Sequence, residues 1–191
     1  STNLEIIVRA GIGLDNVDAA AAKAKGIKVA NTPAATTISV AEHAFGLMLD
    51  AVRQHGLANY TMKQHKWEKK VLHGTELYQK TLGLIGCGRI GRAVAERAIA
   101  FGMTVIGYDV IPFKTELAVK PVTLDELLAR ADVISLHVPK TEKPILGPAE
   151  FGKMKKGVII VNAARGGVVD EKALLDGLNS GQVKAAALDV F

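Results

Sequence analysis

The sequence predicts an α/β fold organised as a doubly wound parallel sheet, and three observations carry that prediction. Apolar runs at 81–85, 103–108, 132–138, 157–161 and 183–188 alternate with helix-period patterns such as 124–130 and 171–179. The runs are nearly continuous Val, Ile and Leu rather than alternating with polar residues, the mark of strands covered on both faces. The first run feeds the turn Gly86-Cys87-Gly88-Arg89-Ile90-Gly91, which opens onto the helical stretch 92–98.

Each element follows from local chemistry. In the turn, Gly86 permits a tight bend, Gly88 has no Cβ to block a pyrophosphate, and Gly91 lets the helix approach the strand. The helix start then offers unpaired N–H groups and a positive dipole end to phosphates. The run at 103–108 ends in Asp109, at the spacing of an acid that binds the ribose hydroxyls and repels a 2′-phosphate, which favours NAD over NADP. Ligands of such sheets bind beyond the carboxyl ends of the strands. That nominates the turns 137–139, 162–167 and 188–191 as the other walls of one crevice.

Upstream, residues 4–9 and 27–30 read as short strands around a helix capped by Asp15 or Asn16 and stopped by Gly26. This unit is too small to bury a core by itself. From Thr36 or Thr37, Val40, Ala44, Leu47, Met48, Ala51 and Val52 recur at helical spacing, with Gly46 suggesting close approach of another backbone. His43 on this helix reads as structural. Residues 59–79 are polar, basic and weakly periodic, and Trp67 there suits an interface anchor or a side chain packed on its own domain.

Bulk properties narrow the function classes. The 191 residues are 49% apolar and 5% aromatic, enough for one sizeable core packed by aliphatic side chains. The net charge of +5 is interspersed, so it suits attraction of small anions better than nucleic-acid binding. No run approaches a membrane span, and there is no basic-then-apolar leader pattern. The single cysteine, Cys87, excludes an intrachain disulfide and a thiolate-rich metal site, and points to a reducing, cytoplasmic setting. No metal is expected. The first residue is Ser, which suggests an excerpted chain.

Five segments together resemble the D-2-hydroxyacid dehydrogenases: 9–18 (RAGIGLDNVD), 31–33 (NTP), 86–91 (GCGRIG), 162–170 (NAARGGVVD) and 187–191 (ALDVF). Within the family the phosphoglycerate dehydrogenase branch is the most similar, with glyoxylate and hydroxypyruvate reductases and a non-catalytic NAD-sensing protein as alternatives. The resemblance implies a Rossmann-type NAD-binding domain at 32–191 and, at 1–31, the end of a flavodoxin-like substrate-binding domain. It also implies a homodimer through the helix from Thr37 and the arm around Trp67.

It implies roles as well. Gly86, Gly88, Arg89, Ile90 and Gly91 would hold the pyrophosphate, Asp109 the ribose, and Val138 and Pro139 would flank the cofactor. Ala163, Ala164, Arg165 and Asp189 would serve the nicotinamide end, with Ile12 beside them. Gly11, Ile12, Gly13 and Arg165 would bind a 2-hydroxy acid, 3-phospho-D-glycerate on the way to serine in the most similar branch. The resemblance makes Arg165 the expected catalytic residue, its planar guanidinium suited to a bidentate grip on carboxylate and carbonyl oxygens. The family's general base and its carboxylate partner would lie beyond Phe191, leaving this chain NAD-binding but catalytically incomplete.

Overall fold

The computed structural model describes residues 3–191. Its centre is a six-stranded, wholly parallel sheet: β3 (Thr81–Ile85), β4 (Thr104–Tyr108), β5 (Val119–Pro121), β6 (Val133–Leu136), β7 (Val158–Asn162) and β8 (Val183–Leu188), in the order β5-β4-β3-β6-β7-β8. From β3 the chain winds outward through β4 to β5, then crosses back to β6 and continues the other way. The reversal leaves a topological switch point between the carboxyl ends of β3 and β6.

Both faces of this sheet are covered, as its unbroken apolar strands require. Leu82, Leu84, Val105 and Val161 pack against α2 (Thr37–Arg53) and α4 (Arg89–Ala100), where Ala44, Met48 and Val94 are buried. Ile106, Ile134, Leu136 and Ile160 face α5 (Leu124–Arg130), α6 (Pro148–Phe151) and α7 (Glu171–Ser180), with Leu127, Phe151 and Leu174 in contact with them. Among the described residues no helix is long and apolar enough to cross a membrane.

The amino-terminal unit is separate: β1 (Ile6–Arg9) pairs in parallel with β2 (Lys28–Asn31) around α1 (Ala19–Ala24). Several details depart from the sequence reading. The cap of α1 is Asp18, whose carboxylate accepts from the Ala21 N–H at 2.8 Å, and not Asp15 or Asn16. Residues 59–79, read as polar, basic and weakly periodic, overlap a helix, α3 (His55–Lys63), that buries none of its residues. Among the described residues none outside its own helix comes within 4 Å of where a Cβ on Gly46 would project, so no other backbone of this chain makes the close approach. Strand β5 and helix α6 were not foreseen. They have three and four residues, too few to show a period. Residues 1 and 2, the start of the predicted 1–31 unit, lie outside the described residues.

Candidate cofactor and substrate cleft

The three loop glycines do different work. Gly86 has φ +97°, and a Cβ there would run into the His137 carbonyl at the end of β6. A Cβ on Gly91 would strike the Gly86 carbonyl, so the helix start can sit against the turn only without one. At Gly88 a Cβ would meet nothing within 4 Å, and its φ of −72° is ordinary. Gly86 and Gly91 are therefore explained by the protein's own packing, whereas Gly88 keeps the surface above the α4 N-terminus clear. That terminus has no side-chain cap and no acidic residue in its first turn. Backbone N–H groups there are free to meet an anion.

Asp109 lies at the end of β4 beside the turn. One carboxylate oxygen accepts from the Cys87 N–H at 2.8 Å and the other from the Ile111 N–H at 3.1 Å. Both bonds orient the group while leaving further lone pairs for ribose hydroxyls. Cys87 itself points into the sheet. Burial, with the Asp109 charge adding to it, pushes its thiol up to about 12, so it stays protonated.

A cavity of about 760 Å³ opens where the amino-terminal unit meets the switch point, a size in the ordinary range of ligand sites. Its walls bring together Gly11, Ile12 and Gly13 after β1, Gly88, Arg89 and Ile90 at α4, Val138 and Pro139 after β6, and Ala163, Ala164 and Arg165 after β7. Four segments distant in sequence thus converge; of the nominated turns, 137–139 and 162–167 contribute to these walls and 188–191 does not. Gly86, Gly91, Asp109 and Asp189 are not among the lining residues. The first two act from beneath, and Asp109 stands further along the sheet's edge. Asp189, at the end of β8, pairs with His43 of α2 at 3.1 Å.

The cavity is cationic. Arg9, Arg89 and Arg165 all line it, against Asp15 as the acidic side chain of the wall. Arg165 is held from several directions. Buried Asn162 donates to the Arg165 carbonyl at 3.0 Å and accepts from the Ala164 N–H at 3.0 Å, which fixes the turn. The guanidinium donates to the Ala164 carbonyl at 2.7 Å and to Asp15 at 3.0 Å. Across from it, the Gly11–Gly13 turn is anchored by Thr32, whose hydroxyl accepts from the Gly11 N–H at 2.9 Å, and by Asn31, which donates to the Ile12 carbonyl at 2.8 Å.

Asn31, Thr32 and Asn162 fall within the motifs of the sequence without a role that the motifs themselves indicate. Polar residues at strand ends beside Gly-rich turns were the available signal. Arg9 and Asp15 were likewise not foreseen as walls of the cleft, whereas His137 belongs to the nominated turn 137–139 and lines it. His137 accepts from or donates to the Ser135 hydroxyl at 2.9 Å, and burial lowers its pKa to about 4. Among the described residues no cluster of three His, Cys, Asp or Glu is arranged for a metal ion.

Comparison with known proteins decides the family. Residues 45–191 match the family model described as D-isomer specific 2-hydroxyacid dehydrogenase, NAD binding domain. The chain belongs to that family. Its cofactor is accordingly NAD, and the uncapped helix with the clear surface at Gly88 fits a dinucleotide. Over 191 residues it is 57% identical to a hydroxypyruvate reductase of Thermotoga maritima, covering 99% of this chain and 62% of that protein. It is 51% identical to a D-3-phosphoglycerate dehydrogenase of Archaeoglobus fulgidus, covering 99% of this chain and 37% of the relative. Among solved structures, a glyoxylate reductase from Paecilomyes thermophila superposes with TM-score 0.92 at 41% identity, over 100% of this chain and 59% of that one. A D-lactate dehydrogenase from Aquifex aeolicus, complexed with NAD and lactic acid, gives TM-score 0.87 at 39% identity, over 98% and 58%. The chain therefore spans between about a third and two thirds of the length of these relatives.

Proposed function

We propose that the protein carrying this chain interconverts a small D-2-hydroxy acid and its 2-oxo acid, using NAD. The observation that carries this reading is the placement of Arg165 opposite the Gly11–Gly13 turn, in the cavity that also holds the α4 N-terminus. When bound, NAD supplies the hydride acceptor or donor. Backbone N–H groups of Arg89 and Ile90, with Gly86, Gly88 and Gly91 shaping the turn, hold the pyrophosphate; Asp109 takes the ribose. Val138, Pro139, Ala163, Ala164 and Asp189 orient the nicotinamide end beside Ile12. The N–H groups of Ile12 and Gly13, on a turn that Gly11 anchors to Thr32, and the guanidinium of Arg165 grip the substrate carboxylate and polarise its 2-oxygen.

The proton acceptor must titrate near working pH. His137, the imidazole in the cavity wall, is held at about 4 and is engaged with Ser135, so it does not meet that requirement. His137 is therefore not assigned as the base on this reading, and the 191-residue chain alone is expected to bind NAD with little turnover. Residues 32–191 serve as the NAD-binding domain and 1–31 as part of a substrate-binding domain. The exposed apolar group Leu57, Tyr60, Met62 and Trp67 supports a homodimer.

For the substrate, Arg9 in the cavity wall adds a cation beyond what a plain 2-hydroxy acid needs, which favours 3-phospho-D-glycerate, oxidised to 3-phosphooxypyruvate. The 57% identity to a hydroxypyruvate reductase favours hydroxypyruvate or glyoxylate instead. Steady-state kinetics of the whole protein with 3-phospho-D-glycerate and NAD, and with hydroxypyruvate and NADH, separates the two by the higher kcat/KM. With either substrate, Arg165→Ala is expected to lower kcat/KM by about a thousandfold, the usual size of losing a transition-state clamp. Full turnover in that variant would overturn the reading.

A further inference from the structure

Asp15 and Arg165 stand 150 residues apart and meet across the cavity, with Arg165 Nε donating to Asp15 Oδ2 at 3.0 Å. A carboxylate beside a cation that must grip a carboxylate weakens that grip by Coulomb repulsion, so its presence needs a geometric reason. The guanidinium has five N–H donors in one plane. Asp15 takes the one on Nε, and the Ala164 carbonyl takes one on Nη1 at 2.7 Å. A single bond would let the plane swing, whereas two bonds on different nitrogens fix it. The unused donors lie on Nη1 and Nη2, and Nη2 stands over Gly13, where a Cβ would collide with it.

On the reading of Arg165 as the substrate clamp, we propose that Asp15 is a positioning residue: it holds the Nε edge so that the Nη edge is the one presented to substrate. Both side chains are partly exposed, 34% for Arg165 and 54% for Asp15, and pairs of this kind add little to folding stability. Loss of turnover on removing Asp15 therefore does not require loss of structure. The pair also joins the amino-terminal unit directly to the turn after β7.

The test is kinetic, on the whole protein, with hydroxypyruvate or 3-phosphooxypyruvate and NADH, whichever it reduces faster. Asp15→Ala is expected to lower kcat about tenfold with unchanged affinity for NADH, because misaligning a positioned group costs rate more than cofactor binding. Asp15→Asn, whose amide oxygen still accepts from Nε, is expected to stay within about threefold of the parent. In an Arg165→Lys background, which has no Nε donor, Asp15→Ala should change kcat/KM by less than about twofold. Asp15→Ser, too short to reach Nε, replaces Asp15→Ala if the latter does not fold. Parent-like kcat in the truncated variants, or the same loss in the Arg165→Lys background, overturns the positioning role. Parent-like turnover of Arg165→Ala instead overturns the clamp reading itself, so the two failures are told apart.

Discussion

At Gly86 a methyl group has nowhere to go: the backbone sits at φ +97° and the His137 carbonyl occupies the Cβ position. Gly86→Ala is expected to destabilise the fold by about 2–4 kcal/mol, measured by urea unfolding. Gly88→Ala meets open space and should change stability by less than about 1 kcal/mol. Its NAD affinity should nevertheless fall at least about tenfold, because the methyl group stands where a phosphate must come close. The sequence pattern divides the three glycines between turn, phosphate and helix packing; what it does not supply is the atoms that a Cβ at Gly86 or Gly91 would strike, the His137 and Gly86 carbonyls. His137 gives a pH prediction. Its folded pKa of about 4 lies below the ordinary value of 6.5, so the unfolded chain binds the extra proton between these values. Stability is full above about pH 6.5 and is lost as pH falls towards 4, by about 2 kcal/mol at pH 4.5. Urea titrations of parent and His137→Asn at pH 7 and 4.5 should show this portion of the acid loss disappearing in the variant.

Helix α2 carries the largest share of what ties the chain's middle to the sheet. Met48 is fully buried in the cluster that includes Leu82, Leu84 and Val94, so Met48→Ala should cost about 2–5 kcal/mol in chemical unfolding. That helix, the five long strands and α7 were legible because apolar spacing reports burial directly. Helix α3 was not, since none of its residues is buried, and β5 and α6 were too short to leave a pattern. In the cleft, the converging turns followed from the parallel topology, which puts strand carboxyl ends on one side. The Asp15–Arg165 pair did not follow: it joins two units whose relative placement no local pattern encodes, and Asp15 at its position read as a helix cap.

Across the whole molecule, one surface and one cleft remain to be used. Trp67 is 81% exposed, and Leu57, Tyr60 and Met62 of the preceding helix α3 are exposed as well, apolar side chains of the kind that association covers. Light scattering at tens of micromolar should return a dimer, and Trp67→Glu should shift it towards monomer; a monomer in both would contradict the proposed assembly. The cleft rests on one central claim, that the β3–α4 turn and Asp109 select NAD. Calorimetric titration of the 191-residue chain with NAD and with NADP tests it most directly. The account predicts micromolar NAD binding and NADP binding weaker by at least about tenfold, since a 2′-phosphate would face the Asp109 carboxylate. Equal affinities, a preference for NADP, or no binding of either by a chain that circular dichroism shows to be folded would contradict it.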